Sequence, residues 1–255
     1  MNRVALIDSD IVAYRAAVLT ENDSEDAAIQ LCRDIHQTWM DAARCDSMVP
    51  CLTYGKSFRC NSWPEYKANR KDKPKPKHLG AVRNSFNWMS MFHNGWEADD
   101  VLGFLHTMTW ADCETVIVTV DKDLDQIPGW HCNPDKETVY EVSPDNSSLY
   151  RWMQVLSGDT TDNYAGIPKI GEKKAHKLLE DVQLSDYEST VRAIYLEKGL
   201  DESYLQSMIA CATIVTYNKD IECELLSPDS TVESTLVPFL RSLPQRLSLP
   251  VAAGM

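Results

Sequence analysis

The chain has 255 residues, 44% of them hydrophobic and 25% charged, a balance that fits a globular protein with a sizeable core and not a disordered or membrane chain. No run approaches the roughly 20 apolar residues of a membrane span, and Asp8 and Asp10 come too early for a secretory signal, so the expected location is the cytosol. A net charge of -13 excludes a uniformly basic surface of the kind that binds nucleic acid, although the distribution of charge along the chain is uneven.

In chain order, Arg3 to Ile7 (RVALI) is a short apolar run that ends at Asp8 and reads as a buried strand. After the cap-like Ser24, the residues Ala28, Leu31, Ile35 and Trp39 recur at helical spacing. Val49 to Thr53 reads as a further strand. From Lys56 to Arg83 the charge reverses, with Lys56, Arg59, Lys67, Arg70, Lys71, Lys73, Lys75, Lys77 and Arg83 against only Glu65 and Asp72. Within this stretch Lys71 to His78 (KDKPKPKH) is too rich in proline and lysine for a core element and reads as an exposed loop. A helix is expected over His78 to Asn94 and another over Ala98 to Trp110; Thr115 to Val120 (TVIVTV) is a β-branched run ending at Asp121. Strands alternating with helices imply a parallel sheet covered on both faces, with its ligand site beyond the carboxyl ends of the strands, where Asp8 and Asp121 are delivered.

Beyond Tyr150 the strand signal fades, and Leu149 to Ser157, Glu172 to Leu179, Tyr187 to Lys198 and Asp201 to Ile214 read as helices. The expected organisation is an α/β domain over 1–148, a helical lobe over 149–237 and a loosely packed tail over 238–255. A second basic run, Lys169, Lys173, Lys174 and Lys177, lies in the helical part. The 8 cysteines, at 32, 45, 51, 60, 113, 132, 211 and 223, lack zinc-ligand spacing and read as reduced, mostly buried thiols. The histidines at 36, 78, 93, 106, 131 and 176 show no ligand pattern and read as structural.

Asp8, Asp10, Glu97, Asp99, Asp100, Asp121, Asp123, Asp159 and Asp162 fall in short clusters at junctions of strand or turn with helix. Any single cluster is explained by helix capping or a solvated surface. All of them together point to a metal, because converging carboxylates repel one another unless a cation neutralises them. Oxygen-only ligands favour magnesium or manganese. Two ions about 4 Å apart suit phosphodiester hydrolysis, with a nearby lysine or arginine to neutralise charge on the phosphorus centre.

These residues resemble the 5′ nucleases, meaning the flap endonucleases and phage 5′-to-3′ exonucleases of the PIN-like superfamily. The resemblance covers most of the chain: VALIDSD at Val4 to Asp10, FR at Phe58 and Arg59 followed by EYKANR at Glu65 to Arg70, EADDVLG at Glu97 to Gly103, DKDLDQ at Asp121 to Gln126, and GDTTDNYAGIPKIGEKKA at Gly158 to Ala175. The last of these is highly specific. The resemblance implies a PIN-like parallel sheet flanked by helices and a C-terminal helical lobe containing a helix-three-turn-helix element at Gly166 to Lys174. It implies a 5′-to-3′ exonuclease or flap endonuclease active in DNA replication or in degrading host DNA. Asp8, Glu97, Asp99, Asp121 and Asp123, with Asp100, Asp159 and Asp162 more variably, would hold two Mg2+ or Mn2+ ions. Lys67 and Arg70 would contact the scissile phosphate, and Tyr66 would stack on a base. Arg59, Lys71, Lys73, Gly166, Lys169, Gly171, Lys173 and Lys174 would meet DNA, with a K+ ion at the helix-three-turn-helix. The implied partners are DNA with a 5′ end or flap, RNA paired to DNA, and replication proteins, bound by a monomer in the cytoplasm, or in the host cytoplasm if a phage encodes it.

Two departures stand out. Relatives commonly carry a further metal-binding aspartate before the phenylalanine-arginine pair, whereas Leu52 to Arg59 (LTYGKSFR) has no acid. The stretch from Arg59 to His78 is short and proline-bearing, which favours a loop over the helical arch that threads a flap. Rival readings are a haloacid-dehalogenase-type phosphatase, mimicked by Asp8, Asp10, Thr119 and Gly158 to Asp162, a DNA-binding accessory protein of the same fold without activity, and a PIN-like ribonuclease.

Overall fold

Alternate residues of a strand point to opposite sides of its sheet, and that period sets the layering of this protein. The computed structural model describes residues 2–108 and 113–217. Strands β1 (Asn2–Asp8), β2 (Ser47–Cys51), β3 (Cys113–Val118), β4 (Gly129–Asn133) and β5 (Thr138–Val142) form one sheet in the order β2-β1-β3-β4-β5. The strands β1 to β4 run parallel and β5 returns antiparallel along β4. Leu6 and Ile117 face one layer, where they pack on Val101, Leu102, Phe104 and Leu105 of α5 (Ala98–Thr107). Ala5, Ile7, Val116 and Val118 face the other, against α1 (Ser9–Leu19), α2 (Glu25–Ala42) and α4 (Leu79–Phe86). Each such buried aliphatic side chain contributes about 1.5–3 kcal/mol.

With β2 on one side of β1 and β3 on the other, the chain leaves the central strands in opposite directions and a crevice opens at their carboxyl ends. Asp8 ends β1 there, and Thr119 and Asp121 follow β3.

Several elements differ from the expectations. Helix α1 follows β1 without a loop; its buried residues Val12, Ala13, Ala16 and Ala17 are mostly alanines, which pack closely but carry little hydrophobic signal. Strands β4 and β5 were not foreseen either, because they form the sheet's far edge and their residues are mostly half-exposed. The helix expected over His78 to Asn94 ends at Phe86, with a 3-10 turn at Asn87–Met89. Beyond it Met91 joins the sheet margin: its N–H donates to Pro50 O, and its own carbonyl accepts from Leu52 N. Because β5 runs antiparallel to β4, the sheet is mostly rather than wholly parallel.

Helices α6 (Pro144–Ser157), α7 (Glu172–Leu179), α8 (Tyr187–Glu197) and α9 (Glu202–Ala212) gather around a second core that includes Leu156, Leu179, Val191, Tyr195, Leu205 and Met208. Ser143 caps α6 by accepting from Asn146 N, with Pro144 at the first helical position, where its missing N–H costs nothing. The seven described cysteines are free thiols. No helix among the described residues is long and apolar enough to cross a membrane. The end of the helix expected to reach Trp110, the part of the lobe beyond residue 217, Cys223 and the tail over 238–255 lie outside the described residues.

Candidate active site

At the carboxyl ends of β1 and β3 lies a cleft of about 540 Å³ lined by Asp8, Asp10, Glu97, Asp99, Asp121, Asp123, Asp159 and Asp162, with Lys67 and Arg70 on its wall. Asp8 is nearly buried and accepts from Thr119 Oγ1 at 3.0 Å. Burial, and then the charges of Asp10 and Asp121, push its pKa up to about 7. Asp121 caps the 3-10 turn Lys122–Gln126 by accepting from Asp123 N at 2.9 Å. Asp123 accepts from Tyr150 Oη at 3.1 Å, and burial with the charges of Asp121 and Asp159 raises it to about 7.

Helix α5 aims its amino terminus at the cleft, so the dipole and the free N–H groups there favour acids. Glu97 is its cap and forms a capping box with Asp100. Asp99 lies one residue into the helix, and burial together with Asp8 and Asp121 holds its pKa well above the carboxylate range.

The basic turn owes its shape to a second set of bonds. Lys67 adopts a left-handed backbone (φ 54°) just before the 3-10 turn Ala68–Arg70. Its N–H donates to Asp162 O at 2.8 Å, and Asn163 Nδ2 and Trp63 Nε1 bind the two segments together through Glu65 O (2.7 Å) and Asn163 O (3.0 Å). The Lys67 ammonium then lies 2.6 Å from Glu97 Oε1. Burial opposes its charge, but Glu97 and Asp162 outweigh that and hold its pKa above the usual lysine value. Arg70 donates to Asp162 Oδ1. Asp159 accepts from Thr161 N at 2.6 Å, which fixes the loop from the other side.

Four candidates from the sequence sit elsewhere. Arg59, expected on DNA, is 2% exposed and donates through both Nη atoms to Asp100, which is 0% exposed; neither lines the cleft. Both Asp100 oxygens are thus engaged by a buried guanidinium rather than facing the other acids. Tyr66, expected to stack on a base, is 5% exposed, and its hydroxyl lies 2.8 Å from Glu97 Oε2 and 2.9 Å from Asp162 Oδ2, with one proton to share between them. Gly166 is buried against the Ser157–Gly158 backbone, so its lack of a side chain serves packing between loops. Lys71, Lys73, Lys169, Gly171, Lys173 and Lys174 are exposed.

The cleft also contains an acid that the resemblance did not place among the metal ligands. Asp10 accepts from Thr53 N at 3.0 Å and pairs with Arg83, which in turn donates to Thr53 O at 2.7 Å. An acid from the start of α1 therefore stands beside the acid-free stretch after β2. The VALIDSD string contained the signal, but the side of α1 on which Asp10 emerges was not evident without the helix.

The donor set fits a hard divalent cation: carboxylate oxygens, several with raised pKa values, with the Lys67 ammonium close to Glu97 and Asp162. Among the described residues no three such side chains converge tightly enough to hold a metal ion as they stand. Their hydrogen bonds to Thr119, Tyr150 and Lys67 set the present spacing around the cleft.

The sequence profile described as 5′-3′ exonuclease, N-terminal resolvase-like domain, matches residues 3–145. The 5′-3′ exonuclease of Bacillus subtilis (strain 168) is 30% identical over 158 residues, which cover 54% of this chain and 53% of that protein. DNA polymerase I of Caldicellulosiruptor bescii is 27% identical over 243 residues, and the thermostable DNA polymerase I of Thermus filiformis 29% over 202 residues. These alignments cover 82% and 70% of this chain but 28% and 24% of the polymerases, so the chain spans about a quarter of their length. Among solved structures, the T5 D15 protein co-crystallised with metal ions superposes with a TM-score of 0.56 at 15% identity, covering 83% of this chain and 100% of that one. T5 5′-exonuclease with bound zinc superposes with a TM-score of 0.55 at 18% identity, covering 83% and 85%. At such identities the superpositions establish the fold, a mostly parallel, resolvase-like α/β sheet. The phosphatase and other rival readings gain nothing from these comparisons. Since the profile matches more than half of its length, the chain belongs to the family of 5′-3′ exonucleases with an N-terminal resolvase-like domain.

Proposed function

We propose that the chain is a divalent-metal-dependent 5′ nuclease that hydrolyses phosphodiester bonds of DNA, and of RNA paired to DNA, from a 5′ end. The observation that carries this reading is the convergence of acids from four separate stretches on one cleft beside Lys67 and Arg70. Asp8, Asp99, Asp121 and Asp123 would hold two Mg2+ or Mn2+ ions, with Glu97, Asp159 and Asp162 acting through water. Ions bound there would lower the pKa of an attacking water and stabilise the leaving oxygen. Lys67 and Arg70, now paired with Glu97 and Asp162, would exchange those partners for the scissile phosphate and neutralise its developing charge. A structural neighbour supports this reading: the T5 D15 flap endonuclease in a pseudo-enzyme-product complex with DNA and metal ions.

The loop from Gly158 to Gly171 and helix α7 would act as the helix-three-turn-helix, with exposed Lys169, Lys173 and Lys174 along the duplex backbone, open space at Gly171 and a K+ ion in the turn. Such contacts position DNA without reading its sequence. Between Arg59 and His78 the described helices are short, Arg59–Ser62 and Ala68–Arg70, which favours exonuclease action over threading of a long flap. The polymerase relatives suggest a setting in DNA replication.

A digest of 5′-labelled duplex, flap and RNA-primed substrates with Mg2+, against EDTA, tests the reading. Release from 5′ ends only with metal is expected. Binding of DNA without any cleavage in Mg2+ or Mn2+ would favour the inactive accessory protein instead.

A further inference from the structure

The last residues of α9 and the segment that follows it touch both stretches that carry the central acids. Arg59 Nε donates to Cys211 O at 3.1 Å and Nη2 to Thr213 O at 2.7 Å. The same guanidinium holds both oxygens of Asp100, at 2.6 and 2.7 Å, and its Nη1 lies 3.6 Å from Glu97 Oε2. Asp100 in turn accepts from Val215 N at 3.1 Å and from Glu97 N at 3.0 Å. On the turn bearing Asp121 and Asp123, Gln126 Nε2 donates to Ala212 O at 2.8 Å, and Gln126 Oε1 faces Ile214 N at 3.4 Å. Gly103 makes room for the segment on α5: a Cβ there would meet Val215 O at 2.5 Å. Tyr217 N donates to Thr107 Oγ1 at 2.7 Å.

We propose that residues 211–217, acting through the buried Arg59–Asp100 pair and through Gln126, set the orientation of Glu97, Asp99, Asp121 and Asp123, so that seating of the helical layer on the sheet decides whether divalent ions are held. Arg59, Asp100 and Gln126 are then positioning residues: none lines the cleft, and each acts on the residues that do. The capping box is the lever, because Asp100 fixes the first turn of α5 from behind while Glu97 and Asp99 face forward from the same turn. The role assigned to the acids rests on the nuclease reading above; the coupling of the segment to them rests on the bonds just given. A buried pair of this kind is not needed for stability alone, since apolar groups of similar volume commonly serve as well.

The test compares the full chain with Arg59→Met, Asp100→Asn, the double variant Arg59→Met/Asp100→Leu, and Gln126→Leu. Single-turnover cleavage of 5′-labelled duplex is measured across a Mg2+ titration, alongside the Mg2+-induced rise in Tm without DNA. Residues that orient metal ligands typically change metal affinity or activity by about 10–100-fold. The variants are expected to need about tenfold more Mg2+ or to lose about tenfold in kcat, with KM for duplex nearly unchanged and a smaller Mg2+-induced rise in Tm. In the double variant Tm in metal-free buffer is expected to recover while the Mg2+ response remains impaired. A double variant with the wild-type Mg2+ response and kcat would overturn the proposal. If the pair variants do not fold, Gln126→Leu decides, since a wild-type Mg2+ response in that variant also overturns it. If the wild type cuts nothing, yet its Mg2+-induced rise in Tm is reduced in the variants, the nuclease reading fails and the positioning proposal stands.

Discussion

Lys67 Nζ lies 2.6 Å from Glu97 Oε1 and 3.3 Å from Asp162 Oδ2, so one ammonium joins an acid at the start of α5 to an acid in the loop before α7. The basic turn is thus held over the cleft by the groups that an incoming phosphate would displace. Substituting Lys67→Met should lower the single-turnover rate by about 10²–10³-fold, the range for loss of one charge-stabilising donor. Duplex affinity in EDTA should change little. An equal loss in rate and affinity would make Lys67 a binding residue only.

Asp99→Ala and Asp121→Ala should abolish cleavage, because each removes a carboxylate that lines the cleft and would hold an ion. Gel-shift affinity for duplex in EDTA should persist. Cleavage at the normal rate by either variant would mean that the ions, if any, sit elsewhere.

The response to Mg2+ should depend on pH. Asp8 and Asp123 have pKa values near 7, raised by burial and by neighbouring carboxylates, so the folded chain retains protons that the unfolded chain has released above about pH 4. These groups therefore favour the fold at low pH and cost stability as pH rises through about 7, where a divalent ion would replace the proton. The Mg2+-induced rise in Tm should be larger at pH 8 than at pH 6. A rise that is flat across that range would separate metal binding from these acids.

His36 gives a second pH signature, away from the cleft. Burial lowers its pKa to about 4 despite its bond to Cys32 O, and its other ring nitrogen meets Ser9 Oγ at 2.9 Å. Because the folded value is depressed, its contribution is whole above the unfolded value near 6.5 and is lost as pH falls toward 4. The loss amounts to roughly 3 kcal/mol. Urea unfolding of wild type and His36→Gln at pH 7.5 and 4.5 measures it; the variant should lose less on acidification.

Gly166→Ala should destabilise by about 3 kcal/mol or more. The residue has φ +57°, where a side chain is strained, and a Cβ would meet Gly158 N at 2.3 Å and Leu156 O at 2.6 Å. Thermal melts check this; a neutral result would mean that the two loops separate readily.

The family and the sheet were legible in the chain because their signals are local. RVALI and TVIVTV have the apolar density of buried strands, and each ends in its aspartate; the acids of EADD and DKDLDQ sit at a helix start and a turn, where backbone N–H groups favour them. Helix α1 and the β4–β5 edge were less legible, since alanine and half-exposed strand residues lack a strong period.

The motif strings that resemble the 5′ nucleases were enough to identify a 5′-3′ exonuclease family member, and the strand runs ending in aspartates pointed to a sheet that gathers carboxylates at one end. Which charged side chains face the cleft and which face the core required the folded chain. Arg59 and Asp100 stand 41 residues apart in sequences that read as DNA contact and metal ligand, yet they bind each other in the interior. Asp10, one of the clustered acids but outside the ligand set implied by the resemblance, lines the cleft beside Thr53. The reason is physical: the fate of a charge depends on the partners and burial supplied by distant segments, and no local pattern encodes those.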